Sequence, residues 1–122
     1  MYHSFEDLEV WKRSVGVAVK LFKILKSCPD HGIKDQMLRS AVSMPSNVAE
    51  GAERDSRKEF TRFLRISKGS AAELRTQLHI AGAAGLMSAA SCAEVKSEVM
   101  EISRMLQGLI FSLRRGSESR GS

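Results

Sequence analysis

The fold is decided by residues 56–81, which read SRKEFTRFLRISKGSAAELRTQLHIA. This stretch opens with SRKE at residues 56–59, a capping box whose serine and glutamate satisfy the free amides of a helix start. Apolar residues then recur every three or four positions, the spacing that lines one face of an α-helix. Two glycines, Gly82 and Gly85, follow the last of them. The stretch therefore predicts a long amphipathic helix that ends near these glycines.

Three other stretches show the same helical spacing, and no stretch alternates as a strand does. The first starts near Ser4, with Asp7 as its capping partner, and ends at residues 28–29 because a residue before proline leaves the helical region. The last starts at a second capping box, SCAE at residues 91–94, and keeps its apolar face as far as Leu113.

The remaining stretch begins near Asp30 and contains Pro45. A proline inside a helix removes one backbone hydrogen bond and clashes with the preceding turn, at a cost of about 3 kcal/mol. The helix either bends at Pro45 or ends there and restarts. We favour a bend, because the apolar spacing continues from Ala41 to Val48 and Gly51 then offers a C-cap.

The joins between the four stretches are short, which favours antiparallel neighbours. The sequence therefore predicts an all-α protein, an antiparallel up-down-up-down four-helix bundle whose second helix is kinked at Pro45. The bundle is expected to form one domain over residues 1–115. Residues 116–122 contain Ser, Gly and Arg with one Glu, a composition that predicts a disordered tail.

Composition and motifs exclude several classes of protein. Hydrophobic residues make up 43% of the chain, which is typical of a globular protein. No apolar run approaches the roughly 20 residues of a membrane span, and the first residues do not resemble a signal peptide, so we expect a cytoplasmic protein with no membrane partner. Cys28 and Cys92 lack metal-binding spacing, and nucleotide, protease and esterase motifs are missing. We therefore expect no catalytic residues, metal, cofactor or small-molecule substrate.

The first helix carries more apolar surface than one bundle core requires. One stripe consists of Leu8, Trp11, Val15, Ala18, Phe22 and Leu25, and a second lies beside it, formed by Val10, Val17, Leu21 and Ile24. Together they exceed the arc of about 100° that commonly faces a core. We predict that the second stripe forms an interface between copies of the chain, because small monomers rarely expose so broad an apolar surface. The alternative is that it lies under the C-terminal segment.

The third helix carries a basic face, in a chain whose formal net charge is +5. At about 100° per residue, Arg54, Lys58, Arg62 and Arg65 fall within roughly 60° of one another, and Arg57, Lys68 and Arg75 flank them. The first helix adds Lys12, Arg13, Lys20, Lys23 and Lys26. These side chains are predicted to bind phosphates, although a merely solvated helix face would have the same composition. Aromatic residues are missing from the stripe, which favours recognition of the nucleic-acid backbone or shape over base stacking.

Three motifs, in this order, carry a family resemblance. They are Phe5-x-x-Leu8-x-Val10-Trp11, SAVSMPSNVAEG at residues 40–51, and Gly69-Ser70-x-x-Glu73-Leu74-x-Thr76. Over about residues 5–113, the chain resembles the four-helix-bundle family named for proteins encoded in 23S ribosomal RNA intervening sequences. The accessory variability determinant of diversity-generating retroelements is similar. The motif residues expected to be structural are Pro45, Ser46, Asn47, Glu50, Gly51, Gly69, Ser70 and Glu73.

Two of these motif residues, Glu50 and Glu73, are expected to form a polar network that satisfies the carbonyl freed by Pro45. A metal role for them is disfavoured because the Glu-x-x-His pattern of di-metal bundles is missing. Gly69 lies mid-helix, where a glycine is expected to let a neighbouring helix approach.

The resemblance implies a ring-shaped homopentamer with a positively charged surface and a nucleic-acid partner. In the retroelement relatives it also implies a reverse transcriptase as partner, and it carries no catalytic residues. We therefore expect a non-enzymatic, oligomeric adaptor that binds nucleic acid, RNA above all, through its basic helix face. The alternative is a protein-interaction scaffold, for example one that docks a reverse transcriptase, without direct nucleic-acid binding.

Overall fold

The computed structural model describes residues 4–119, with the backbone alone for residues 117–119. It contains the helices α1 (Glu9–Ile24), α2 (His31–Glu53), α3 (Arg57–Ala83) and α4 (Ala89–Ser119). Short 3-10 helices at Phe5–Asp7 and Leu25–Ser27 flank α1. Residues 4–119 include no strand, and the predicted all-α class with four helices is confirmed.

Hydrogen bonds between helices establish their directions. The Met44 carbonyl of α2 accepts a hydrogen bond from Ser67 Oγ of α3 at 2.9 Å. Ser43, which precedes Met44 in α2, hydrogen-bonds Ser70, which follows Ser67 in α3, at 2.8 Å. The two helices therefore run in opposite directions. The same reversal relates α4 to α3 and to α1, where the pairs are Lys68–Gln107, His79–Lys96, Arg13–Met105 and Lys20–Glu94. Because α1 also packs against both α2 and α4, the four helices close an up-down-up-down bundle.

The core is a continuous apolar cluster to which every helix contributes one stripe of side chains. Its largest side chains are at most 2% exposed. They include Leu21, Leu25, Met37, Met44, Leu64, Leu74, Leu78, Ile102, Leu106 and Ile110. Each such side chain contributes about 1.5–3 kcal/mol when it is fully buried. The apolar periodicity of the sequence is therefore what holds the bundle together.

The predicted interface between copies is wrong in its residues. Val10, Val17 and Leu21 are 5%, 1% and 0% exposed and belong to the core of the subunit itself, and Ile24 packs against that core. Phe22, which the sequence pattern assigns to the core, is instead 50% exposed. When apolar residues cover so wide an arc of a helix, periodicity alone does not identify which of them face the core. In α1 the buried face contains residues of both stripes.

A different set of apolar residues is exposed on α1 and α2. Val19 and Phe22 of α1 and Val42 of α2 are 43–50% exposed. On α1, Lys20 faces α4, so Phe22, about 200° further round the helix, lies towards α2. On α2, Ser43 faces α3, and Val42 lies about 100° away from it. We call these three residues the outer apolar face, and it lies on the α1–α2 side of the bundle.

Helix α2 runs without interruption through Pro45, so the alternative of two separate helices is excluded. Its N-cap is Asp30, whose side chain accepts from the Ile33 amide at 3.0 Å, as the sequence predicts. The bend at Pro45 stays a prediction. Before α2, Cys28 adopts an extended backbone and ends the first helical segment, as expected of a residue before proline.

Side chains other than the predicted ones form hydrogen bonds around Pro45. Ser67 Oγ reaches the Met44 carbonyl across the helix interface, and Asn47 Nδ2 donates to the Ser43 carbonyl at 2.8 Å. Ser67 is fully buried and its hydroxyl has found a partner, which avoids the penalty of an unsatisfied buried group.

The predicted network of Glu50 and Glu73 is wrong. Both carboxylates are exposed; Glu50 pairs with Arg54 of its own helix end at 3.1 Å, and Glu73 makes no ion pair with any described residue. A carboxylate keeps its hydration when it can, because moving it into an apolar interior without a partner is costly. The side-chain hydrogen bonds near Pro45 come instead from Asn47 and Ser67, which are uncharged, and they reach the carbonyls of Ser43 and Met44.

Two predicted roles of glycine are also wrong. Gly51 is not a C-cap, since α2 continues to Glu53. A Cβ at Gly51 would stand 2.6 Å from the Phe63 Cβ, so this glycine allows α2 and α3 to approach closely. Gly69, in contrast, faces open space within the subunit. The glycine turn after α3 is confirmed: the helix ends at Ala83, and Gly85 has φ of +76°.

The helix starts agree with the sequence for α2, as described above, and for α3, and they differ for α1 and α4. Ser56 caps α3, accepting from the Glu59 amide at 3.1 Å, as predicted. Ser4 caps the first 3-10 helix and not α1. For α4 the start lies one turn before the predicted box, because the Ser88 hydroxyl accepts from the Ser91 amide and the two alanines between them favour helix.

The end of α4 lies beyond the predicted domain boundary at residue 115. The helix continues to Ser119, so residues 116–119 of the predicted disordered tail are helical. The remaining part of that tail, residues 120–122, lies outside the described residues.

Candidate nucleic-acid interface

The seven residues predicted to bind phosphates divide into two groups. Arg54 and Arg62 place their guanidinium carbons 5.0 and 4.5 Å from the centroid of the Phe63 ring. Each also pairs with a carboxylate at 3.1 Å, Arg54 with Glu50 and Arg62 with Glu59. The hydrogen bond to Arg62 lowers the pKa of Glu59 and in turn raises the pKa of Arg62. These two arginines are thus engaged within the subunit.

The helical count that grouped Arg54 with the α3 residues is not valid, although the structure does bring Arg54 beside Arg62 at the Phe63 ring. Arg54 is the C-cap residue of α2, and α3 begins only at Arg57. The rotation of about 100° per residue applies only within one continuous helix, so it cannot be counted across the turn between them.

The other five residues line two open pockets that follow one another along the contact between α3 and α4, and α4 adds two arginines that the sequence pattern did not single out. The residues are Arg57, Lys58, Arg65, Lys68 and Arg75 of α3, with Arg104 and Arg114 of α4. We call these seven residues the basic groove. No carboxylate lines either of its two pockets, as far as the described residues go. Arg104 is paired with Glu101 at 2.9 Å, and the other six make no ion pair with a described residue.

Two contacts hold the walls of the basic groove together. Near its middle, Lys68 Nζ donates to Gln107 Oε1 at 2.6 Å. Near one end, Arg57 Nη1 donates to the Leu113 carbonyl at 3.3 Å. Arg57, Lys68 and Arg75 fall within about 20° of one another on α3, which is why all three face α4. The groove is therefore positioned by two packed helices and not by loops.

The geometry of the basic groove suits an extended polyanion. From Arg57 to Arg75 it follows α3 for roughly 27 Å, at about 1.5 Å per residue. Cations concentrated along such a line, without acids between them, raise the local electrostatic potential and attract anions. The remaining side chains of the two pockets are Thr61, Met100, Ser103, Gln107 and Leu113.

The basic residues of α1 do not line this groove. Lys20 Nζ bonds Glu94 at 2.7 Å and also Glu98, and these hydrogen bonds raise the pKa of Lys20. Arg13 contacts the Met105 sulfur at 3.9 Å. Both residues therefore belong to the α1–α4 contact, on the opposite flank of α4. Lys12, Lys23 and Lys26 are exposed.

The sequence contained a signal for the α4 side of the groove. Arg104, Gln107, Phe111 and Arg114 recur at intervals of three and four residues, so they share one helix face. A net charge count over α4 conceals this face, because Glu94 and Glu98 lie on the flank that meets α1. Phe111 on the same face is 57% exposed, and Arg115 lies 5.7 Å from its ring centroid.

A second, polar cavity lies between α2 and α3. The motif residues Ser70 and Glu73 line it, together with Gln36, Arg39, Ser40, Ser43 and Gln77. Ser43 and Ser70 hydrogen-bond each other across it at 2.8 Å, whereas Gln77 Oε1 is buried without a partner among the described residues. Of the other motif residues, Pro45 is buried and Ser46 is exposed.

Chemistry-bearing groups outside the basic groove are few. Among residues 4–119, no three His, Cys, Asp or Glu side chains converge as a metal site would require. Cys28 and Cys92 are both buried free thiols, and burial raises the pKa of Cys92. None of the described helices combines the length and the apolar character needed to cross a bilayer.

The fold and the groove define an all-α bundle protein with one basic side. The chain belongs to the family of 23S rRNA-intervening sequence proteins, whose family model matches residues 6–108. It is also similar to the crystal structure of a protein of unknown function from the S23 ribosomal protein family of Bacteroides thetaiotaomicron. That similarity has a TM-score of 0.78 at 22% identity and covers 83% of this chain and 97% of the other, so it supports the fold.

No curated protein matches the chain. The expected likeness to the accessory variability determinant of retroelements stays a prediction from the sequence motifs.

Proposed function

We propose that this protein binds nucleic acid, with RNA as the favoured form, through the basic groove and without catalysing a reaction. The observation that carries the proposal is the line of seven cations on α3 and α4, of which one has a carboxylate partner among the described residues. The proposal is more specific than attraction to a basic surface in general, because it assigns binding to one groove whose two walls are α3 and α4.

The physical basis is the release of counterions from the phosphate backbone. Each phosphate that a lysine or arginine neutralises frees condensed ions, and binding therefore weakens as salt is added. Arginine suits this role because its planar guanidinium can donate two parallel hydrogen bonds to one phosphate. RNA is favoured over DNA because the family is described by its link to 23S rRNA.

We further propose that copies of the chain associate through the outer apolar face, with the pentamer implied by the family resemblance as the expected stoichiometry. Val19, Phe22 and Val42 lie on the α1–α2 side, away from the basic groove on the α3–α4 side. Association would remove these three side chains from water without covering the groove, and apolar burial is the main favourable term in association.

The decisive experiment removes two charges from the basic groove and compares the result with the removal of two charges elsewhere. Arg65→Gln with Arg114→Gln takes one cation from each wall. Lys23→Gln with Lys26→Gln, which we call the α1 variant, changes the net charge equally at exposed positions of α1 and of the 3-10 helix that follows it. Binding of a labelled structured RNA is measured by fluorescence anisotropy at about 50 and 200 mM salt.

We expect the wild-type affinity to fall steeply between the two salt concentrations. The groove variant should bind about tenfold more weakly or worse at low salt and should show a shallower salt dependence, whereas the α1 variant should stay near wild type. Undetectable binding at low salt would reject the proposal. Equal losses in the two variants would show attraction by overall charge and would reject the groove as the site.

A further inference from the structure

Phe111 is the most exposed large apolar side chain among the described residues, at 57%. An exposed phenylalanine forgoes most of the stabilisation that its burial would contribute. The core does not need it, because Leu106 and Ile110 on the other side of α4 are 0% and 2% exposed and already face the bundle interior. Packing of the core therefore does not account for the position of Phe111.

Phe111 lies on the outer surface of α4 beside the basic groove, and it lines neither of the groove's two pockets. It follows Gln107 by four residues and precedes Arg114 by three, and residues at those intervals are neighbours on a helix surface. Along α4 it falls between the two contacts that fasten this wall to α3, Lys68–Gln107 and Arg57–Leu113. Along α4 the ring thus lies between two cations of the groove, Arg104 and Arg114.

The immediate electrostatic surroundings of the ring are basic. Arg115 is 5.7 Å from its centroid, a distance at which a guanidinium interacts favourably with an aromatic face. On α3, Arg65 lies between the same two fastening contacts and lines the pocket that also contains Arg114. No carboxylate lines the pockets on either side, within the described part of the chain.

An exposed aromatic ring between phosphate-binding cations is the arrangement that proteins use for unpaired bases. Cations track the backbone while the ring stacks on a base, and such stacking contributes about 1–3 kcal/mol per base. In a duplex the bases are paired and stacked on one another, and their faces are not available to a side chain. A ring in this position therefore discriminates single strands from duplexes.

We infer that Phe111 is a stacking platform and that the basic groove recognises a single-stranded segment with at least one unpaired base. The inference rests on the proposed function and adds the strandedness of the nucleic acid. Arg114 and Arg65 hold the backbone on one side of the stacked base, and Lys68 with Arg104 hold it on the other. Any of the four bases is accepted, because every base has an aromatic face.

The test compares Phe111→Ala with Phe111→Trp and with a matched control. Ile66→Ala removes another exposed large apolar side chain, on α3, that lines neither pocket of the groove and does not belong to the outer apolar face. The probes are single-stranded RNA and DNA of about 12 nucleotides, the same strand with abasic sites, and the corresponding duplex. Affinity is measured by fluorescence anisotropy at low salt, and the oligomeric state of each variant by sedimentation velocity.

We expect Phe111→Ala to bind both single strands about 5- to 100-fold more weakly, with little change for the abasic strand and the duplex. Phe111→Trp should keep the wild-type affinity, and Ile66→Ala should bind like wild type. Similar losses for RNA and DNA are expected, since stacking does not involve the 2′-hydroxyl.

Three results would overturn the inference. One is an unchanged affinity of Phe111→Ala for single strands while the Arg65 and Arg114 variant loses binding, which leaves the proposed function intact. Another is an equal loss for normal and abasic strands. The third is a changed oligomeric state of Phe111→Ala with unchanged affinity, which would assign the ring to contacts between copies. A wild-type protein that binds no nucleic acid would instead reject the proposed function itself.

Discussion

Gly51 of α2 lies directly against Phe63 of α3, so that a methyl group on Gly51 would stand 2.6 Å from the Phe63 Cβ. It would also come within 3.1 Å of the Phe60 ring. The guanidinium carbons of Arg54 and Arg62 lie 5.0 and 4.5 Å from the centroid of the same Phe63 ring. A small residue at position 51 therefore sets the depth at which Phe63 is seated, and with it the positions of two surface arginines.

We expect Gly51→Ala to destabilise the bundle. The added methyl group meets the Cβ of Phe63, which is fixed to its helix backbone and cannot move aside as a flexible side-chain end would. Overpacking of this kind costs about 1–3 kcal/mol, against a gain of up to about 1 kcal/mol from the better helix propensity of alanine. Urea denaturation should show a lower midpoint, and a higher midpoint would contradict the close approach of α2 and α3.

Gly69→Ala is the matched control for this prediction. Gly69 is also inside a helix, but no atom beyond its own helix lies within 4 Å of the position of an added methyl group. The substitution should therefore show the propensity gain alone and stabilise the protein by about 0.5–1 kcal/mol.

Ser67→Ala should remove a buried hydrogen bond between α2 and α3. Ser67 is 0% exposed and its hydroxyl donates to the Met44 carbonyl at 2.9 Å. The expected loss is about 1 kcal/mol of unfolding free energy, measured by urea denaturation. Thr76→Ala serves as control, because its hydroxyl bonds within α3 at an exposed position; it should stay within about 0.5 kcal/mol of wild type. Equal effects would show that the Ser67 bond does not stabilise the helix pair.

The Lys20 ion pairs should make a pH-dependent contribution to stability. Hydrogen bonds to Glu94 and Glu98 raise the pKa of Lys20 above its ordinary value of 10.5. The folded state thus favours the charged lysine, and the stabilisation is complete below 10.5 and is lost as the pH rises through the folded-state pKa. Lys20→Met should lower the unfolding free energy by at most about 1 kcal/mol at neutral pH, since the pairs are partly exposed.

Urea denaturation at about pH 7 and about pH 11 tests this sign. The difference between wild type and Lys20→Met should shrink at the higher pH. Lys23→Met removes the charge of an exposed lysine without an ion-pair partner among the described residues and should show no difference at either pH. A Lys20 effect of constant size would mean that packing of the lysine stem, and not its charge, is responsible.

Acidic substitutions on the outer apolar face should prevent self-association. Val19→Asp with Val42→Asp places a charge on each of α1 and α2, and an unpaired charge is strongly disfavoured in a buried interface. Sedimentation velocity should show a multimer for wild type and a monomer for this variant. Ile80→Asp, at a residue of α3 with 51% exposure, is the control and should remain a multimer. A monomeric wild type would reject the association.

The helices were predictable because each one has apolar residues at intervals of three or four along the sequence. The spacing of Leu64, Leu74 and Leu78 identified the buried face of α3, and the capping box at Ser56 located its start. The same rule failed on α1, where apolar residues surround most of the helix. Only packing against α2 and α4 decides there that Leu21 is buried and Phe22 is exposed.

The candidate site was only half predictable for a different reason. The α3 residues of the groove lie on one helix, so periodicity could group Arg57, Lys68 and Arg75. Their counterparts Arg104 and Arg114 are brought to them by the register between α3 and α4, which contacts such as Lys68–Gln107 establish. A single sequence states neither which flank of α4 meets α3 nor which carboxylates are already engaged by α1.

The basic groove lies on the α3–α4 side of the bundle and the outer apolar face on the α1–α2 side, so a contact through the outer apolar face leaves the groove open. A ring closed through the apolar sides would display one identical groove per subunit around its rim. A long RNA held by the first groove would meet the next at high effective concentration, so avidity could exceed the affinity of a single groove by about 10²–10⁴. The affinity of such an assembly would depend on the length of the strand as well as on its chemistry, and short transcripts would bind only weakly.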